Sequence, residues 1–193
     1  MANIERLRAF AAHVVQSVEQ HGQNEDAVLA AITPVLATLI ARDDFLPEAY
    51  TKSHPQYYQQ YLLYGDPAQN LSIVSFVWGP GQKTPVHNHR VWGLVGILRG
   101  GELSTDFTEQ NGKLIPGQTE LLSPGRVAAV SPRLGDIHQI ANAHDDAASI
   151  SIHVYGGNIG RIRREVFLPD TGEVKPFISG YANTDVPNLW AAE

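Results

Sequence analysis

His87 and His89 stand two residues apart in Pro85-Val86-His87-Asn88-His89-Arg90-Val91-Trp92-Gly93, within a run that reads as extended from Thr84 to Leu98. Alternate side chains of a strand share a face, so both imidazoles are expected on one side. Imidazole is the commonest protein metal ligand, and such a pair supplies two adjacent corners of a coordination sphere. Two ligands rarely hold a catalytic metal, so a third must come from another strand. Taken alone, the spacing fits two ordinary polar histidines at a strand end equally well. Ser151-Ile152-His153-Val154-Tyr155 is the second pattern. On a strand Ser151, His153 and Tyr155 share one face, where the hydroxyl can orient the imidazole and the imidazole can meet the phenol. On spacing alone, an alternating strand with one polar face is the better reading.

The elements that must position these groups are legible from periodicity. Leu7, Phe10, Ala11, Val14 and Val18 follow helical spacing up to His21-Gly22. Asn24 caps a second expected helix through Ile32, and Thr33-Pro34 opens a third to about Ala41. Residues 42–64 read as a polar, aromatic surface segment. From Leu71 the chain turns to short apolar stretches separated by turn residues. The expected strands are Leu71–Trp78, Val91–Leu98, Glu102–Thr108, Thr119–Leu122, Arg126–Val130, Ile137–Ala141, Ala148–Tyr155 and Arg161–Phe167. Strands at this spacing predict an antiparallel sandwich or barrel. The tail from Asp170 to Glu193 carries loop signals and a few aromatics, and is expected to fold back over the barrel.

Composition narrows the function. A chain of 193 residues suits one domain, with a helical layer over 1–42 and a β-barrel core over about 70–167. The net charge of -6 argues against a nucleic-acid surface. No apolar run is long enough to span a bilayer, and Glu5, Arg6, Arg8 and His13 break up the N-terminus, so a cytoplasmic location is the expectation. Cysteine is absent, which excludes disulfides, a zinc-thiolate site and a cysteine nucleophile. Oligomeric state is not legible.

Gly135-Asp136-Ile137-His138-Gln139-Ile140-Ala141-Asn142 supplies a third histidine. Its Gly-x-x-His-x-x-x-Asn order resembles the second motif of the cupin superfamily, with Pro132 one place early. Gly81, His87, His89 and the turn at Gly100 resemble the first. The resemblance covers roughly residues 70 to 157 and implies a mainly β, cupin jelly-roll barrel with an N-terminal helical layer. Many cupins add a glutamate four or five residues after the His-x-His pair; here Gly93 and Leu94 stand there. Three neutral ligands would leave a divalent ion its full charge and open positions, suiting an anionic substrate plus dioxygen.

With Ser-x-His-x-Tyr added, the chain resembles the cysteine dioxygenase family of thiol dioxygenases. The resemblance implies iron(II) held by His87, His89 and His138, with Ser151, His153 and Tyr155 as a catalytic triad beside it. Gln60 stands where the mammalian-type enzymes carry a carboxylate-gripping arginine. The cysteine that crosslinks to the active-site tyrosine in those enzymes falls near Trp92-Gly93, and this chain has none. Both departures resemble the bacterial glutamine-type subgroup, whose members favour 3-mercaptopropionate. That subgroup takes the carboxylate with an arginine after the triad strand, for which Arg164 in Gly160-Arg161-Ile162-Arg163-Arg164 is the best match. Gln60, Arg164 and Tyr155 are then the implied substrate-binding residues, with a small thiol and O2 as partners. The rival readings are an L-cysteine dioxygenase, a zinc or manganese isomerase, and a non-catalytic binding cupin.

Overall fold

A computed structural model describes residues 2–22 and 24–190. Two helices come first. α1 (Ile4–His21) buries Leu7, Phe10, Ala11 and Val14 along one stripe. α2 (Glu25–Ile40) starts where the Asn24 side chain accepts the Ala27 N–H at 3.2 Å. The break expected at Thr33-Pro34 is absent, and α2 runs straight through it. Pro34 lies on the exposed face, where water can serve a carbonyl that has lost its N–H partner. The buried stripe Val28, Ile32, Leu36, Leu39 meanwhile continues unbroken across it. Packing overrides the local stop signal.

Eleven strands follow among the described residues: β1 (Gln59–Gly65), β2 (Ser72–Trp78), β3 (Val86–His87), β4 (Gly93–Arg99), β5 (Glu102–Gln110), β6 (Lys113–Leu122), β7 (Val127–Val130), β8 (His138–Asn142), β9 (Ser149–Tyr155), β10 (Arg164–Leu168) and β11 (Glu173–Phe177). They form two antiparallel sheets, ordered β1-β2-β9-β4-β7 and β11-β10-β3-β8-β5-β6. Consecutive strands repeatedly fall in opposite sheets, which is the double-sheet jelly-roll arrangement. The protein is a mainly β double-sheet jelly roll with an N-terminal helical layer on the five-stranded sheet.

β2, β4 and β9 are buried along almost their whole length because both faces of that sheet are covered. Ile73, Val77, Leu94, Ile150, Ile152 and Val154 pack outward against α1 and α2. Val74, Phe76, Trp78 and Tyr155 pack inward, between the sheets. Gly96 is a point of close approach, since a Cβ there would lie 3.0 Å from Leu36.

Three further sequence expectations change. The extended run 84–98 is two strands, interrupted over residues 88–92, with Arg90 at φ +63°. Residues 42–64 are not all surface coil: a 3-10 turn (Glu48–Tyr50) is followed by β1, an edge strand that lacks β-branched residues and so gives only a weak strand signal. The tail likewise contributes the edge strand β11. No described helix is long and apolar enough to cross a membrane.

Candidate metal centre

β3 and β8 are neighbours, and His87 is the register partner of His138. Their side chains therefore leave the sheet together. His89 reaches the same place by another route. It sits just past β3, and Asp136 holds it: one carboxylate oxygen accepts the His89 and Arg90 backbone N–H groups, each at 2.9 Å, and the other pairs with His89 Nδ1 at 2.9 Å. Asn88 and Arg90 both bond the Glu165 carboxylate on β10, which fastens the loop from its outer side. Ring centroids of the three histidines are 4.8–4.9 Å apart, and one ligand atom from each lies within 4.8 Å of the others.

The donor set fits a metal ion. His87 Nδ1 meets the Pro85 carbonyl at 3.1 Å and His89 Nδ1 meets Asp136, which fixes Nδ1–H in each and leaves Nε2 as a lone-pair donor. His138 Nε2 is buried with no hydrogen-bond partner. Burial pushes His87 and His138 well below the ordinary histidine range, and His89 down as well, so all three are neutral ligands. It is the one group of three or more potential metal-ligating side chains among the described residues. His144, Asp145 and Asp146 are exposed.

β9 sends Ser151, His153 and Tyr155 into the same interior. Ser151 Oγ meets His153 Nε2 at 2.8 Å, and His153 Nδ1 meets the Tyr155 hydroxyl at 2.7 Å. Phe76 stacks on His153 at 4.2 Å, and the Tyr155 ring stacks on His89 at 5.6 Å. Gly93 has no side chain because none fits: a Cβ would lie 2.7 Å from the Tyr155 ring. Burial raises the Tyr155 phenol and lowers His153, so both are neutral.

Arg164, at the start of β10, lines this cavity with Gln60, Tyr58, Trp78 and Phe177. It is only 4% exposed, yet its guanidinium has no carboxylate partner among the described residues. It lies 4.6 Å from the Phe177 ring centroid, bonds only Ser179 Oγ among them, and keeps Nε buried without a partner. Arg161 and Arg163 are not among the lining residues. Gln60 is buried, but both amide hydrogens are taken, by the Gly180 carbonyl at 2.9 Å and Ser179 Oγ at 3.2 Å. The cavity has about 20 Å³ of free space, and shares Tyr58, Gln60 and Phe177 with a vestibule of about 370 Å³.

Sequence reasoning missed Asp136 and Ser179. Asp136 lies in the quoted Gly-x-x-His motif, one residue after its glycine, and its position was signal enough to ask for a role. Ser179 had no signal, because only the fold brings the tail to β10.

No protein-family model matches the chain. Among solved structures it is similar to a protein from Thermus thermophilus, at 17% identity over 57% of this chain and 92% of that one, with a TM-score of 0.46. It is also similar to a Klebsiella pneumoniae protein with a double-stranded β-helix domain, at 15% identity over 70% and 96% of the two chains, TM-score 0.44. Oxalate oxidase bound to the substrate analogue glycolate aligns at 16% identity and TM-score 0.45, over 58% of each chain, so little more than half of that protein is spanned.

Proposed function

We propose that this protein is a thiol dioxygenase: it adds both atoms of O2 to the sulfur of a small thiol carboxylate, 3-mercaptopropionate above others, giving the sulfinate. Thiol plus dioxygen balances the sulfinic acid with no external reductant. His87, His89 and His138 would hold the metal, iron(II) on this reading. When bound, such an ion supplies a Lewis-acidic redox centre that accepts a thiolate and activates dioxygen.

Arg164 carries the substrate assignment. A buried guanidinium without an acid partner, in the same cavity as three neutral histidines, is a site for an anion. Arginine recognises a carboxylate through parallel N–H bonds, and among the described residues the Arg164 guanidinium spends only one Nη2 hydrogen, on Ser179. Tyr155, fixed by His153 and Ser151, holds a hydroxyl proton at the cavity wall and can orient the same ligand. Phe76, Trp78 and Ile140 exclude water around it. No carboxylate of the described residues lines the cavity, so the ammonium group of cysteine would find no counter-ion there. That favours the acid without an amine.

Anaerobic iron(II) reconstitution followed by oxygen-uptake measurements tests the reading. The expected result is uptake with a sulfinate product, and a larger kcat/KM for 3-mercaptopropionate than for cysteine. Bound iron with no uptake from either thiol would overturn it.

A further inference from the structure

Residues 177–182 form a strap across the rim shared by cavity and vestibule. The Gly180 N–H donates to the Gly160 carbonyl at 2.9 Å, and the Ala182 N–H to the Gln60 carbonyl at 2.8 Å. The Tyr181 hydroxyl donates to Asn158 Oδ1 at 2.6 Å. Ser179, in the middle of the strap, is exposed as a residue, yet its oxygen accepts hydrogen bonds from two buried groups. These are Arg164 Nη2 at 2.8 Å and Gln60 Nε2 at 3.2 Å.

A hydroxyl has two lone pairs and one proton. Both lone pairs of Ser179 are occupied by donors, which leaves its proton for an acceptor. Gln60 has no amide hydrogen left to give, while Arg164 spends one Nη2 hydrogen on Ser179 and has no other hydrogen-bond partner among the described residues. We infer that Ser179 is a specificity-determining residue: it fixes the Arg164 fork by accepting from it, and donates its own proton to the carboxylate of the bound acid. Gln60 is a positioning residue that holds Ser179 and does not itself grip the ligand. The inference rests on the thiol-carboxylate reading above.

Two measurements test it. Metal-free protein is titrated calorimetrically with propionate, and iron-loaded protein is assayed for oxygen uptake with 3-mercaptopropionate and with ethanethiol, which has no carboxylate. Ser179→Ala should bind propionate roughly tenfold more weakly, the loss expected for one hydrogen bond to a charged group. KM for 3-mercaptopropionate should rise by the same factor with kcat unchanged, ethanethiol should be unaffected, and Ser179→Thr should restore both values.

Unchanged or tighter propionate binding in Ser179→Ala would overturn the inference, because Ser179 would then merely stand in the ligand's place. An equal loss with ethanethiol would overturn it too. Propionate binding that depends on Ser179, in a protein that oxidises neither thiol, would support the inference while removing the proposed reaction. Oxidation of 3-mercaptopropionate that ignores Ser179 would do the reverse.

Discussion

Glu102 is a carboxyl group where a carboxyl is costly. It is fully buried at the start of β5, and neither oxygen has a hydrogen-bond partner of good geometry. Burial pushes its pKa to about 7 from an ordinary 4.5, and the nearby Ser151 hydroxyl and Trp78 indole offset this only in part. The folded state thus keeps a proton that the unfolded chain releases. Its stabilising effect is complete below pH 4.5 and is lost as pH rises to about 7. Glu102→Gln should flatten that slope and be more stable than the parent at pH 8, by on the order of 3 kcal/mol, read from urea unfolding. Parallel curves across this range would show Glu102 ionised throughout.

Tyr155→Phe tests the row on β9. It removes one hydroxyl from a neutral phenol and leaves His153 Nδ1 without its partner. Turnover should drop by roughly 10²-fold with iron content unchanged, as expected for a positioned proton donor. An unaltered rate would take the row out of the chemistry. Asp136→Asn keeps the shape but removes the charge that orients His89. Iron affinity, measured by chelator competition, should weaken by about 10- to 100-fold. Unchanged affinity would mean the loop holds His89 without it.

Among the elements, β9 shows why this sequence could be read at all. Its alternation separates Ser151, His153 and Tyr155 from Ile152 and Val154, and the two sets face the interior and the helices respectively. Period-two patterning survives because each face has a different neighbour. The grouping of His87 with His89 was legible from spacing, although its cause differs: a loop fixed by Asp136 brings His89 round, not strand alternation. His138 followed from a motif whose register partner is His87. β1 and β11 were not legible, because edge strands bury little and their sequences carry weak strand preference. Ser179 depends on the tail meeting β10, a long-range contact that no local pattern encodes. The uninterrupted α2 was misread for a related reason: its apolar stripe against β4 outweighs one proline. Pro34→Ala should therefore raise the melting temperature, since proline inside a helix costs up to about 3 kcal/mol and the site is exposed. A lowered melting temperature would show that the proline ring is needed for packing.

In the whole molecule, stability and chemistry occupy opposite sides of one sheet. The helical side carries the larger buried cluster, and the side between the sheets carries the histidines. Leu36→Ala, on the helical side, should cost about 2–5 kcal/mol in unfolding free energy and leave iron affinity unchanged. An equal loss of iron binding would show that the two sides are not independent.

Arg164 and Glu165 are consecutive on β10, and a strand sends consecutive side chains to opposite faces. One lines the cavity, while the other grips Asn88 and Arg90 on either side of His89. On the proposed reading, an acid held by Arg164 would sit on the same strand that braces His89, a proposed metal ligand. Heterotropic cooperativity follows: propionate should tighten iron binding, and iron should tighten propionate binding by the same factor, since linkage between two sites is reciprocal.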